Sequence, residues 1–218
     1  MNDAITLEKN KVSVKEVGYL FIKRLFDIIC GLLGIILLIP VTIIVKIVSM
    51  CNRDFASIFF SQNRIGKNGK EFKLYKFRSM VINAEELIKS FTPEQMREYK
   101  ENYKLTNDPR ITKVGKFLRK TSLDELPQLI NIINGDLSII GPRPVVADEL
   151  EKYGVNKDKF LSVTPGLTGY WAANGRSNTT YEQRMKMELY YIDNLSLKMD
   201  IKVFFKTILS VLKKEGAR

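Results

Sequence analysis

The stretch IICGLLGIILLIPVTIIV, residues 28–45, contains no charged side chain, and its reading governs that of the whole chain. Uncharged runs of about 18 or more residues are candidates for membrane insertion, so its length is borderline for a span. A cleaved secretory leader is a poor description, because no small-residue cleavage site follows and Lys46 comes next. Lys9, Lys11, Lys15, Lys23 and Arg24 precede the run, while Lys46, Arg53, Arg64, Lys67 and Lys70 follow it. The positive-inside rule therefore gives no direction, and both ends read as cytoplasmic. Pro40 lies inside the run, where it withholds a backbone donor and bends or breaks a helix. A helix that enters, bends and returns to the same face satisfies both observations. A single kinked span is the alternative, and residue statistics alone favour it.

Just before the run, Arg24 and Asp27 stand three residues apart on one helix face. They predict either an ion pair at the lipid–water boundary or a merely solvated helix end. Far downstream, DIKVFFKTILSVLKK places Ile201, Phe204, Phe205, Ile208, Val211 and Leu212 at helical spacing among Lys202, Lys206, Lys213 and Lys214. This reads as an amphipathic helix on an anionic membrane, or as a helix packed on the soluble core.

Composition narrows the partners. The 218 residues carry 35 basic and 24 acidic side chains, a net charge of +11, which favours nucleic acid, an anionic membrane or phosphorylated substrates. Histidine is absent, and Cys30 and Cys51 are the two cysteines, so a zinc site and a disulfide framework are both excluded and a reducing compartment fits. Chemistry must then rest on carboxylates and cations.

After the apolar run, FFSQNRIGKNGKEFKLYKFRSM, residues 59–80, predicts two short strands joined by a turn at 66–69. Lys76 and Arg78 alternate there and could face one anion together, or form a solvated strand face. Residues 81–104 predict two surface helices, with Thr92 as an N-cap before Pro93. Another helix is expected over 114–120, and a further one starting near Asp124.

The acidic pair Asp124 and Glu125 sits within RKTSLDELPQLINIINGDLSIIGPRP, residues 119–144, between Arg119 and Lys120 on one side and Arg143 on the other. Ser122 as N-cap would let Glu125 complete a capping box but would put Pro127 too deep in the helix; Asp124 as N-cap accommodates Pro127 in the first turn. Either choice puts Asp124 at a helix N-terminus, where amides and dipole favour an ionised carboxylate and a bound phosphate. On local pattern alone, simple capping has the larger share. Prolines on both sides of Arg143 fix its backbone and suit bidentate phosphate contact, though most such turns only end a strand. PGLTGYWAANGRS, residues 165–177, reads as a binding loop with an aromatic surface or as an ordinary turn-rich connection.

Together these segments resemble the bacterial sugar transferase family, the monotopic phosphoglycosyl transferases, in a compact form that lacks the multi-span N-terminal extension of larger relatives. The resemblance rests on KRLFD at 23–27, the proline-broken apolar run, SQNRIG, YKFRSM, NDPRITKVGKFLRKTSLDELPQL, GDLSIIGPRP, PGLTGYWAANGR and SLKMDIKVFFKT. It implies transfer of a sugar 1-phosphate from a UDP-sugar to polyprenyl phosphate, usually undecaprenyl phosphate, with release of UMP and a requirement for Mg2+. By the same resemblance Asp124 is the nucleophile that forms an aspartyl–phosphosugar intermediate, and Glu125 helps it bind the magnesium. Arg119 and Arg143 would grip phosphate, Asp200 matches an acid near the pocket, and Lys76, Arg78 and Arg176 fall in motifs that contact nucleotide or sugar. Arg24, Asp27 and Pro40 match the family's membrane element, whose helix re-enters the cytosolic face; many relatives have serine before the proline where this chain has Ile39. A carboxylate nucleophile suits a chain without histidine, since it is ionised at pH 7.

The expected fold is thus α+β: an N-terminal extension (1–18), a re-entrant membrane helix (19–52), and a mostly helical cytosolic catalytic domain (53–218) with a short β-hairpin and interfacial amphipathic helices. The expected location is the cytosolic face of the bacterial inner membrane, in exopolysaccharide, capsule or related glycan assembly. Its partners would be a UDP-sugar, undecaprenyl phosphate and membrane lipid, with the transferred sugar and a homo-oligomeric state left open. The competing reading is a membrane-anchored basic adaptor for anionic lipid or nucleic acid, against which stands the absence of any nucleic-acid fold signature.

Overall fold

The computed structural model describes residues 14–102, 105–175 and 179–212. Its first element, α1 (Val14–Cys51), is one helix of 38 residues that runs through Pro40, about 57 Å long at 1.5 Å per residue. Pro40 sits on its exposed side, and next to it the Thr42 hydroxyl donates to the Leu38 carbonyl at 2.7 Å. Asp27, Gly31, Leu38, Val45 and Ser49 are buried along one stripe at helical spacing, while Leu33, Ile36, Leu37, Ile39 and Ile44 on other faces are exposed. The helix therefore leans on the rest of the fold along much of its length and turns an apolar outer surface away from it.

Two glycines permit the close approach. A Cβ at Gly34 would lie 2.6 Å from Leu129, and one at Gly31 would lie 3.0 Å from Ile133. Both contacts are with α4 (Gln128–Asn134), which is reached through α2 (Pro93–Asn102) and α3 (Lys113–Thr121). The hairpin is as expected: β1 (Phe59–Ile65) pairs antiparallel with β2 (Glu71–Phe77), Phe59 opposite Phe77 and Ile65 opposite Glu71. Its turn closes through the Gly66 amide on the Lys70 carbonyl at 2.8 Å. Asn131 of α4 fixes β2 from behind, accepting from the Tyr75 amide at 3.1 Å and donating to the Lys73 carbonyl at 2.7 Å.

A second, parallel pair forms between β3 (Ser138–Ile140) and β4 (Gly166–Thr168). The short helices α5 (Ala147–Glu151), α6 (Lys157–Leu161) and α7 (Tyr170–Asn174) lead to α8 (Tyr181–Asp193) and α9 (Leu197–Leu212). Leu129, Ile132, Leu137, Ile140, Val145, Phe160, Tyr191 and Val203 bury against one another as the main core. A smaller cluster of Leu38, Val45, Ile58, Phe77 and Leu118 joins α1 to the hairpin and α3.

The structure corrects several local expectations. Residues 81–104 hold a 3-10 turn (Glu86–Ser90) and one α-helix, the latter begun by Thr92 and Gln95 capping each other's amides. Residues 165–177 supply β4 and α7 where a loop was expected, because glycines there serve close packing: a Cβ at Gly166 would lie 2.1 Å from the Gly141 nitrogen. Arg24 and Asp27 do not pair. Arg24 donates to the Ile132 and Ile133 carbonyls at 2.6 and 2.8 Å, satisfying the C-terminal end of α4, and Asp27 accepts from Ser138 Oγ and the Ile139 amide at 3.0 and 2.8 Å. Helix α9 packs on the core through Val203 and Ser210 and leaves Ile201, Phe205, Ile208 and Leu209 exposed. Lys213 and Lys214, the expected end of that helix, and most of the expected extension 1–18 lie outside the described residues.

Candidate active site

Helix α3 ends at Ser122, whose φ of 58° turns the chain sharply into a 3-10 turn, Leu123–Glu125, that feeds α4. This kinked junction carries the acidic pair. Neither Ser122 nor Asp124 makes a side-chain cap, since the turn has no side-chain cap bond and α4 is preceded by Pro127. The capping function assigned from local pattern is therefore absent, and the junction holds its shape by backbone bonds such as the Leu126 amide on the Leu123 carbonyl at 3.2 Å.

Asp124 is 9% exposed, and no side chain among the described residues hydrogen-bonds its carboxylate. Burial, together with the adjacent Glu125 charge, pushes the Asp124 carboxyl above the usual aspartate range, while Lys76 and Arg119 pull it back. The electrostatic effect of the site is thus opposite to the ionisation expected from a helix N-terminus, because desolvation outweighs the amides. Glu125 forms an ion pair with Lys76 of β2 at 3.0 Å. Arg119 is anchored by its Nε, which donates to Ser79 Oγ at 2.8 Å, and lies close enough to Asp124 and Glu125 to feel both charges.

The other basic flank is the loop after β3. Its backbone is held by the Gly141 amide on the Thr168 carbonyl and the Gly166 amide on the Pro142 carbonyl, both at 2.8 Å. The Arg143 amide donates to Glu188 Oε1 of α8 at 3.1 Å, and Arg64 Nη1 of β1 donates to the Pro144 carbonyl at 3.3 Å. Arg64 links the two flanks: burial above all, with Arg143 and Arg184, depresses its guanidinium to about 10 against the opposing pull of Glu149 and Glu125. The acidic turn, Lys76 and Arg119 thus share one neighbourhood, and Arg64 feels both Glu125 of that turn and Arg143 of the other flank.

A profile of the bacterial sugar transferase family matches residues 18–214. The chain belongs to that family. Among its relatives, the undecaprenyl-phosphate galactose phosphotransferase of Salmonella typhimurium is 44% identical over 200 residues, covering 90% of this chain and 42% of the relative. The exopolysaccharide production protein ExoY of Sinorhizobium fredii is 43% identical over 198 residues, 89% of this chain and 87% of the relative. The UDP-N-acetylgalactosamine-undecaprenyl-phosphate N-acetylgalactosaminephosphotransferase of Aeromonas hydrophila is 35% identical over 207 residues, 92% of this chain and 46% of the relative. The chain therefore spans less than half the length of the first and third of these proteins.

Within this member of the family, the expected site residues divide. Asp124, Glu125, Lys76 and Arg119 come together as described, whereas Arg143 is tied by its backbone to Glu188 and lies near Arg64. Arg78 does not join Lys76: it grips Asp54 with two 2.8 Å bonds and also donates to the Ser57 and Met80 carbonyls at 2.6 and 3.0 Å. It lines a shallow depression with Arg53, Phe55 and Ile82, to which none of the acidic-turn residues contributes. Asp200 lies behind β3, accepting from Tyr19, Lys23 and Tyr191 at 2.9, 2.8 and 2.6 Å. Arg176 lies outside the described residues.

Sequence reasoning missed Arg64 and Glu188. Arg64 stands there only among the charges that follow the apolar run and within the SQNRIG motif, with no site role, although a cation within a hairpin strand is a usable signal when it is buried. Glu188 is 1% exposed, and burial pushes its carboxyl up to about 7 against the pull of Arg184 and Arg143. Its only sequence cue was its place one helical turn after Arg184 and one before Tyr191, on the face that packs inward.

For a metal, the described residues offer no cluster of three or more acidic or sulfur ligands. Two adjacent carboxylates, whose mutual repulsion already raises Asp124, nevertheless match the usual Mg2+ arrangement of one or two carboxylates completed by substrate phosphates.

Proposed function

We propose that this chain transfers a sugar 1-phosphate from a UDP-sugar to undecaprenyl phosphate, releasing UMP, as the opening membrane step of exopolysaccharide or capsule assembly. The observation that carries the reading is the kinked α3–α4 junction, where a buried carboxylate, without a side-chain donor among the described residues, lies near Lys76 and Arg119. The names of the relatives agree with it, and they give no support to a non-catalytic adaptor.

In the first half-reaction an Asp124 oxygen attacks the phosphorus that bears the sugar. The new bond is Oδ–P, the bond that breaks joins that phosphorus to the bridging oxygen, and UMP leaves with the electron pair. An oxygen of undecaprenyl phosphate then attacks the same phosphorus, breaks the Oδ–P bond and restores the carboxylate. Negative charge grows on the phosphoryl oxygens in both steps, and Arg119, Lys76 and Arg143 are the cations positioned to meet it. Bound Mg2+, held by Asp124 and Glu125 with the donor phosphates, would supply further neutralisation of that charge. Lys76 also keeps Glu125 oriented through their ion pair.

Helix α1 fits a membrane anchor that stays on the cytosolic face of the inner membrane. Its stripe from Asp27 to Ser49 is buried on the same globular fold at both ends of the apolar run, which supports an anchor whose ends stay on one side, and its remaining faces are apolar and exposed. Exposed Ile201, Phe205 and Leu209 of α9 would rest on the same surface. A soluble nucleotide-sugar and a lipid phosphate would then meet at one carboxylate.

The test is nucleotide release from purified full chain with undecaprenyl phosphate and Mg2+, using UDP-galactose and UDP-N-acetylgalactosamine first. UMP is the expected product. Release of UDP would indicate direct glycosyl transfer, and no release with any UDP-sugar would defeat the proposal.

A further inference from the structure

The segment 141–144 has only two backbone N–H groups, because Pro142 and Pro144 have none. The Gly141 amide is used by β4, through the Thr168 carbonyl at 2.8 Å. The remaining one, that of Arg143, goes to a buried carboxylate on a helix 45 residues away, Glu188. The carbonyl at the other end of the segment, Pro144, takes a buried guanidinium from a strand 80 residues away, Arg64. Arg143 is therefore held on each side by a charged group of matching polarity, while its own guanidinium donates no hydrogen bond among the described residues.

Charged groups are costly for such a task. A buried carboxylate or guanidinium loses far more solvation than a neutral side chain, and well-packed apolar residues commonly do as well for stability. Here neither group recovers its full set of bonds: Glu188 Oε2 and Arg64 Nε are buried without a partner. Nor do the two pair with each other. Arg184, one turn before Glu188, pairs with Glu149 at 3.4 Å, and Arg64 Nη2 donates to Gln62 at 2.8 Å. What the two charged groups have in common is the backbone around Arg143, and charge-assisted bonds fix geometry more tightly than neutral ones.

We infer that Glu188 and Arg64 are positioning residues, which clamp segment 142–144 so that the Arg143 guanidinium points at the donor diphosphate. The inference deepens the transferase reading and rests on it. Both residues act through Arg143, so their contribution must vanish when Arg143 is removed.

That dependence is measurable without turnover. UDP serves as an unreactive probe, and its binding to the full chain in detergent is followed by calorimetry in two double-mutant cycles, Glu188→Leu with Arg143→Ala and Arg64→Met with Arg143→Ala. Each clamp variant is expected to weaken UDP binding about tenfold when Arg143 is present and less than about twofold when it is absent. Glu188→Gln keeps an oxygen for the Arg143 amide and is expected to recover most of the loss. It also serves as the folded control should Glu188→Leu melt early. Additive losses in both cycles would overturn the clamp while leaving the transferase reading intact. Failure of wild type to bind UDP would overturn both, and unchanged binding in Arg143→Ala would remove Arg143 as the group being positioned.

Discussion

Asp124 and Asp200 are both buried aspartates, and their surroundings differ in kind. Asp200 receives three hydrogen bonds, from Tyr19 and Lys23 of α1 and from Tyr191 of α8. Lys23 also donates to the Ile140 carbonyl at 2.7 Å, so the cluster ties the apolar helix to the end of β3. Asp124 sits on a kinked junction with cations nearby and, among the described residues, no side-chain donor on its oxygens. A carboxylate whose lone pairs are filled by protein is a structural tie; one left without side-chain donors among nearby cations is available to a phosphorus atom. Burial alone does not separate a clamp from a nucleophile. Hydrogen-bond saturation does.

The sharpest way to break this contrast is to exchange each carboxylate. Asp124→Asn is expected to lower turnover by about a thousandfold or more, with an unchanged melting temperature. Asp200→Ala should do the reverse, leaving the Lys23 ammonium uncompensated and costing about 3 kcal/mol of stability, read as a lowered melting temperature. Turnover per folded molecule should then fall by less than about tenfold. Equal losses of activity in the two variants would erase the distinction.

Lys76→Met sharpens it further. Losing the ion pair to Glu125 and one cation near Asp124 is expected to reduce turnover about tenfold, by weaker charge stabilisation. The smallest effect is a shift in pH dependence. Asp124 must be ionised to attack, and burial raises its carboxyl, so activity should fall with decreasing pH at a value above the ordinary aspartate range. Lys76 lowers that value, hence Lys76→Met should move the acid limb to still higher pH. An acid limb that Lys76→Met leaves in place would argue that another group titrates.

Local chemistry made much of the fold legible. Glycine at 66 and 69 marked the hairpin turn, Thr92 before Pro93 marked α2, and the uncharged run marked α1. The failures at Arg24, Asp27 and Arg78 share one cause, which is that a distant partner outcompeted a near one. Arg24 and Asp27 had helical spacing for each other, yet Arg24 serves the carbonyls of α4 and Asp27 serves β3. Arg78 stood two residues from Lys76 but turned to Asp54. Of the site, the acidic pair and its arginines could be read because they crowd into one stretch. Glu188 could not, because the amide it accepts from belongs to a loop contiguous with it only in space.

The central claim, that Asp124 is the open carboxylate that takes the phosphosugar, is tested most directly by mass spectrometry after incubating the full chain with Mg2+ and UDP-galactose, or with the UDP-sugar it uses, without lipid acceptor. The account predicts about one equivalent of UMP and a sugar-phosphate mass increment on the peptide containing Asp124, both lost in Asp124→Asn and the increment discharged by undecaprenyl phosphate. An increment on any other residue, or full UMP release from Asp124→Asn, would contradict it.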